Sequence, residues 1–292
     1  MQAKETHFTL FIEGSKQFRI PIYQRKYSWE QKHCEVLFND IVNAGKNTNK
    51  KNHFFGSIVY VLDSDDTYAI SGVQHWLVID GQQRLTTLIL LLHALVKAAE
   101  NHQEVTKVPT SKIRDLYLAN HTEQGEDSRK IVLTEPDKDT LYSILDGNPL
   151  PNVNSKRIQE NIKFFEERIN ESGVNLYDIF LGIQKLKIVD ISLKIPEDDP
   201  QLIFESLNST GLDLSQADLI RNFLLMGLDV PEQEELYKKY WYPMEQKITE
   251  TSASDFDRFM KDFLTVKQTD IPTERDVYVK FKEYFFEEGK QN

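Results

Sequence analysis

Trp76-Leu77-Val78-Ile79-Asp80-Gly81-Gln82-Gln83-Arg84-Leu85-Thr86-Thr87 is the stretch whose reading decides the fold. The apolar run 76–79 has the length and continuity of a strand covered on both faces, and a second apolar run, 85–95, has the length of a helix. Between and at the start of them stand Asp80, Gly81, Gln82, Gln83, Arg84, Thr86 and Thr87, polar or glycine residues placed where a buried strand passes into a buried helix. Such a junction exposes the unpaired N–H groups and the positive dipole end of the helix, which favour an anion. An arginine and two hydroxyls add to that preference, and phosphate is the simplest ligand with enough negative charge. The plainer alternative is that Asp80 caps the helix and Arg84 pairs with a surface carboxylate.

Outward from this junction, 8–22 reads as β-rich stretches broken at Glu13-Gly14-Ser15, a hairpin. A strand is expected at 54–62, a turn at Asp63-Ser64-Asp65-Asp66 and a further strand at 67–70, with helices over 31–44 and 85–99. The pattern beyond residue 100 is mostly helical, with three- and four-residue apolar spacing at 155–172 and 231–248. Pro136 and Gly147 bracket a short helix. The polar stretch 120–129 reads as an exposed loop. One strand signal, 186–193, recurs late and could return to the N-terminal sheet. The expected fold class is therefore α+β: a small mixed sheet in residues 1–100, then a mostly helical region over 101–292.

Composition narrows the function. The 292 residues carry a formal charge of −11, which argues against a protein that coats nucleic acid by bulk electrostatics. Residues 1–100 hold 11 Lys+Arg against 10 Asp+Glu, whereas 101–292 hold 24 against 36, so the N-terminal third is the better dock for a polyanion. A single cysteine, Cys34, excludes an intrachain disulfide framework and a multi-cysteine zinc site, and reads as a small buried hydrophobe. All seven histidines lie at or before His121 and match no zinc spacing. No Walker pattern occurs, which speaks against a P-loop NTPase. With no apolar signal core at its start and no run near the ~20 residues that span a bilayer, the expectation is a cytoplasmic protein with no membrane partner.

Three further clusters could carry chemistry. Pro21-Ile22-Tyr23-Gln24-Arg25-Lys26-Tyr27-Ser28-Trp29 joins cations to aromatic rings, with Arg25 suited to bidentate phosphate binding and the rings to stacking. Alternatively it is an aromatic anchor. Phe54-Phe55-Gly56-Ser57 places a glycine near a strand start, where a ligand or another backbone comes close. From Phe204 to Asn222 the chain reads as a helix, a turn at Asn208 and Gly211, and a new helix capped by Ser215 with Asp218, either as pure structure or as a wall of the same pocket.

Together, Tyr23-Gln24-Arg25 with Tyr27 and Trp29, Phe55-Gly56-Ser57-Ile58, Asp80-Gly81-Gln82-Gln83-Arg84-Leu85-Thr86-Thr87, and Asn208, Gly211 and Asp218-Leu219-Ile220-Arg221-Asn222 resemble the GmrSD restriction endonuclease N-terminal domain family. The resemblance runs from about residue 10 to residue 225. It implies a ParB/sulfiredoxin-like α+β domain followed by helices, a role in modification-dependent DNA restriction against phage, and binding and hydrolysis of a nucleoside triphosphate with Mg²⁺. It implies modified DNA as a partner and an HNH-type nuclease, expected on a partner chain or on a segment outside this one; a homo-oligomer stays open. Carried over by position, Gln24, Arg25, Tyr27, Gly56, Gly81, Arg84, Thr86 and Thr87 would bind the nucleotide. Arg25 and Arg84 would neutralise phosphates, Thr86 or Thr87 would help hold Mg²⁺, Gln82 or Gln83 would orient water, and Asp80 would be a metal contact or base. These groups suffice for phosphoryl transfer, which needs mainly positioning and charge neutralisation. A module that recognises modified DNA without turnover, and a non-catalytic assembly protein, are the competing readings.

Overall fold

In the computed structural model the described residues are 1–49, 51–62, 72–101, 107–208, 214–248, 255–268 and 271–288. The turn expected at 63–66, the strand at 67–70 and Gly211 lie outside them. Contacts divide the chain into two compact units, one of Met1–Pro21 with Lys26–Asp198, the other of Ile22–Arg25 with Asp199–Asn292.

The first unit is built on a six-stranded mixed sheet. Its strands are β1 (Gln2–His7), β2 (Lys16–Arg19), β3 (His53–Leu62), β4 (Gln74–Asp80), β5 (Ile131–Val132) and β6 (Leu186–Leu193), in the order β1-β6-β3-β4-β2-β5. Pairing is antiparallel for β1–β6 and β3–β4, and parallel for β6–β3, β4–β2 and β2–β5. The late strand signal thus enters the heart of the sheet, beside β3. The expected hairpin at 8–22 does not form. Phe8–Ile12 is a short helix, α1, because Phe8, Phe11 and Ile12 at helical spacing all reach the core while Leu10 faces outward. β2 then pairs in parallel with β4 and β5 instead of folding back on its predecessor.

Helices α2 (Gln31–Lys46), α3 (Gln82–Asn101), α4 (Thr110–Ile113), α5 (Asp137–Asp146), α6 (Lys156–Ile169) and α7 (Leu176–Gln184) complete this unit. Leu85, Leu88, Ile89, Leu90, Leu91, Leu92, Leu95 and Val96 of α3 are all buried, and a helix apolar on every side belongs at the centre of a core. Helices α2 and α7 touch backbone to backbone through two glycines. A Cβ on Gly45 would fall 1.8 Å from the Asp178 carbonyl oxygen, and one on Gly182 would fall 2.0 Å from that of Ile41. Gly147, with φ +68, terminates α5 as the Pro136 and Gly147 pattern predicts. Residues 120–129 form the largely exposed loop expected, with one short turn at Gly125–Ser128, and the loop is tied down at Asn120, which is buried and whose amide donates to the carbonyls of Lys16 and Asp127.

Composition changes near residue 100, but the compact unit runs on to Asp198. The reason is that α3 cannot be covered by the sheet alone; α6 and α7 share one apolar cluster with it, and β6 is one of the sheet's interior strands.

The second unit is helical: α8 (Pro200–Asn208), α9 (Gln216–Leu225), α10 (Val230–Leu236), α11 (Tyr242–Ile248), α12 (Asp255–Gln268) and α13 (Val277–Glu288). Ala217, Ile220, Trp241, Phe256, Met260, Leu264, Val277, Tyr278 and Phe281 make its core. Ser215 caps α9 by accepting from the Asp218 N–H at 3.0 Å, as the spacing predicts. Among the described residues, no helix is long and apolar enough to cross a membrane.

Candidate functional site: the β4–α3 junction

Gly81 has φ +95, and a Cβ there would lie 2.9 Å from the Ser57 carbonyl oxygen and 3.0 Å from Ile58 Cγ1. Both the torsion and the closeness of β3 therefore demand glycine at the turn from β4 into α3. The first helical hydrogen bond runs from the Leu85 N–H to the Gly81 carbonyl at 3.0 Å. The backbone N–H groups of Gln82, Gln83 and Arg84 thus fall in the first turn, where a helix has no internal acceptor to offer.

Arg84 lies across the neighbouring strand. Its Nη1 donates to the Ser57 carbonyl at 2.7 Å and stands 3.5 Å from Asp80 Oδ2. The guanidinium rests on Gly56, where φ is +117 and a Cβ would come within 2.9 Å of Arg84 Nε and 3.2 Å of Cζ. The register of β3 against β6 shifts between Phe54 and Gly56, and such a bulge gives glycine its unusual torsion and re-aims the strand. Asp80 and Arg84 keep 25% and 30% of their side chains accessible, so this pair is the part of the motif that solvent or a ligand can reach.

The rest of the motif faces inward. Gln83 Oε1 accepts from the N–H groups of Ser28 and Trp29 at 2.8 and 3.3 Å, and its Nε2 donates to the Lys26 carbonyl at 3.2 Å. One amide therefore clamps three consecutive peptide groups. Thr86 and Thr87 are buried and return their hydroxyl protons to the carbonyls of Gln82 and Gln83, at 2.8 and 2.7 Å. Tyr27 is buried as well, its hydroxyl 2.7 Å from Thr87 Oγ1 and accepting from Asn161 Nδ2 at 3.0 Å. Gln82 is buried too.

Two residues holding this loop were not singled out in the sequence. Asn161, fully buried on α6, also donates to the Trp29 carbonyl at 2.8 Å. The signal for it was an amide set in the apolar stripe of Ile158, Ile162 and Phe165. Asp137 Oδ2 accepts from the Tyr27 N–H at 2.6 Å; burial raises its carboxyl above the ordinary range, against hydrogen bonds that pull it down. Nothing in the neighbourhood of Asp137 in the chain distinguishes it from a helix-start carboxylate. Cys34 is buried, and burial pushes its thiol up to about 11, which suits a packed, inert cysteine.

Gln24 and Arg25 count with the second unit. Gln24 is buried and Arg25 half-buried. In that unit Arg221 Nε donates to the carbonyl of Tyr23 at 2.8 Å.

The fit of a divalent cation can be read from the donors. Asp80 has an accessible carboxylate, but the Thr86 hydroxyl is buried and committed to Gln82. Among the described residues no group of three or more His, Cys, Asp or Glu could hold a metal. Asp80 is thus the one carboxylate in the 80–87 motif, the minimum with which Mg²⁺ is held when substrate phosphates complete its shell; Thr86 does not fit as a ligand.

Residues 8–225 match the family model described as the GmrSD restriction endonuclease, N-terminal domain. The chain belongs to this family. The match spans both chain segments discussed above, from α1 through the Asp80–Thr87 junction to the end of α9, and α10–α13 lie beyond it. Membership makes this GmrSD N-terminal domain protein a component of a restriction system. A comparison with curated proteins gave no match.

Proposed function

We propose that this chain is the nucleotide-responsive part of a modification-dependent restriction system, binding a nucleoside triphosphate at the β4–α3 junction, hydrolysing it, and thereby licensing or restraining a nuclease of the HNH type that cuts modified DNA. The observation that carries this reading is the Asp80–Arg84 pair, laid on the Gly56-Ser57 backbone at the mouth of a 20-residue helix. An arginine at the positive dipole end of a helix favours an anion by charge, and its guanidinium offers charge-assisted hydrogen bonds to a phosphate.

In this scheme an arriving phosphate takes Arg84 from Asp80, exchanging one partly exposed ion pair for another. Asp80, freed, accepts a proton from the attacking water or touches Mg²⁺, which when bound would supply further charge neutralisation. Gln83 is committed to the loop at 26–29, and the role of orienting water is assigned to Gln82 by family resemblance alone. Gln24 and Arg25 are assigned to the phosphates by family resemblance. Nucleotide binding acts on a nuclease only through different affinities for two states of the protein.

Phosphate release from ATP, GTP, CTP and UTP, with and without modified DNA, tests the reading alongside direct triphosphate binding. Arg84→Ala is expected to weaken binding at least about tenfold, the loss of one charge-assisted hydrogen bond of roughly 1.5–3 kcal/mol, and to abolish turnover. Unchanged binding overturns the proposal. Salt-sensitive DNA binding with no nucleotide bound or turned over would replace it with a DNA-recognition module.

A further inference from the structure

The segment Asp218-Leu219-Ile220-Arg221-Asn222 contains the most buried charge among the described residues of the second unit. Arg221 is 4% exposed, and each edge of its guanidinium is used: Nη2 on Asp218 Oδ1 at 2.6 Å, Nη1 on Glu245 Oε1 at 3.0 Å, and Nε on the Tyr23 carbonyl at 2.8 Å. The two carboxylates already compensate the charge. The third bond goes to a peptide group 198 residues away in sequence. Asn222, buried behind it, donates to the Asp218 carbonyl at 2.7 Å and steadies the same turn of α9.

We propose that Arg221 is a positioning residue: Asp218 and Glu245 aim its fork so that Nε grips the backbone at Tyr23, and this grip sets the path of Ile22–Arg25 and therefore the direction in which Gln24 and Arg25 are presented. The segment needs such a grip, because it leaves the first unit after Pro21 and rejoins it at Lys26. The buried Tyr23 ring supplies apolar anchorage, and the guanidinium adds a directed hold on the Tyr23 peptide plane. A planar fork with three directed donors fixes it, and a lysine, a point charge on a flexible stem, cannot. The functional consequence rests on the reading that Arg25 meets phosphate.

The full chain is compared with Arg221→Lys, with the charge-balanced double variant Arg221→Met/Glu245→Gln, and with Arg25→Ala. Hydrogen exchange of the peptide covering 22–26 is read together with the affinity for fluorescent ATP and GTP analogues. Both Arg221 variants are expected to exchange at least about tenfold faster at 22–26, as local opening there becomes cheaper, while α3 and α12 keep their protection. Arg221→Lys is expected to lose as much triphosphate affinity as Arg25→Ala, and the Arg25→Ala/Arg221→Lys double variant no more than either. Unchanged exchange at 22–26, or additive losses in the double variant, overturns the proposal. If the unaltered chain binds neither analogue, the functional reading falls, and the exchange result alone decides whether Arg221 positions the segment.

Discussion

Replacing Gln83 by methionine separates two roles that the same residue could have at this junction. The side chain is nearly isosteric, so packing changes little, but three hydrogen bonds go: those from the Ser28 and Trp29 N–H groups and that to the Lys26 carbonyl. At a net worth of about 1 kcal/mol each, the loss is roughly 2–4 kcal/mol. The upper part of that range applies if the half-buried Trp29 N–H finds no water. For a domain of about 200 residues, where 1 kcal/mol moves Tm by roughly 2–4 °C, the melting point of the first unit should fall by about 5–15 °C. Calorimetry reads the fall, and hydrogen exchange at 26–29 locates it. Gln83→Glu should also destabilise, since its carboxylate keeps an acceptor for the two N–H groups but turns an oxygen toward the Lys26 carbonyl. A Tm lowered by less than about 2 °C, with the loop still protected and triphosphate turnover lost, would refute the structural role and return Gln83 to the water.

Gly56→Ala places a Cβ 2.9 Å from Arg84 Nε at a φ of +117; because the obstructing atoms end a flexible side chain, the fold should survive a strain of about 1–3 kcal/mol. Arg84 should leave the Ser57 carbonyl, and triphosphate affinity measured by titration should drop as far as in Arg84→Ala. Gly182→Ala sets a Cβ 2.0 Å from the Ile41 carbonyl oxygen, backbone that cannot step aside, so a loss above about 4 kcal/mol or insoluble expression is expected. Gly227→Ala, which meets nothing within 4 Å, should stay within roughly 0.5 kcal/mol in the same denaturant titration. Lys130 is buried, and burial followed by the nearby Lys16 lowers its ammonium from 10.5 to about 8. Between those values the unfolded chain holds a proton that the folded one has released, so this group makes stability rise with pH across that window, by on the order of 2–4 kcal/mol. Lys130→Met should flatten the rise in urea titrations between pH 8 and pH 10.5.

Much of the site was legible because its defining rules are local. The change from continuous apolar strand to apolar helix across Asp80-Gly81 needs only torsion preferences and the unpaired amides of a helix start, and the structure puts β4 and α3 there. Ser215 with Asp218, and Gly147 after α5, were likewise readable from cap chemistry. What local rules do not carry is which face of the motif turns inward. Tyr27, Gln83, Thr86 and Thr87 looked like ligand-facing groups, and each of them has its polar atoms bonded within the unit.

By itself, then, the amino-acid sequence determined the α+β class, the strand-to-helix junction with its Asp-Gly-Gln-Gln-Arg run, and the helices that follow. Only the tertiary structure decided that Phe8–Ile12 is helix, that β6 sits inside the sheet, that Gly45 and Gly182 let two helices touch, and that of the motif's polar side chains Asp80 and Arg84 stay accessible. The physical reason is range. Torsions, caps and hydrophobic period act over a few residues, whereas burial and the choice of hydrogen-bond partner depend on what packs alongside; Asn161 reaches Tyr27 across 134 residues of chain.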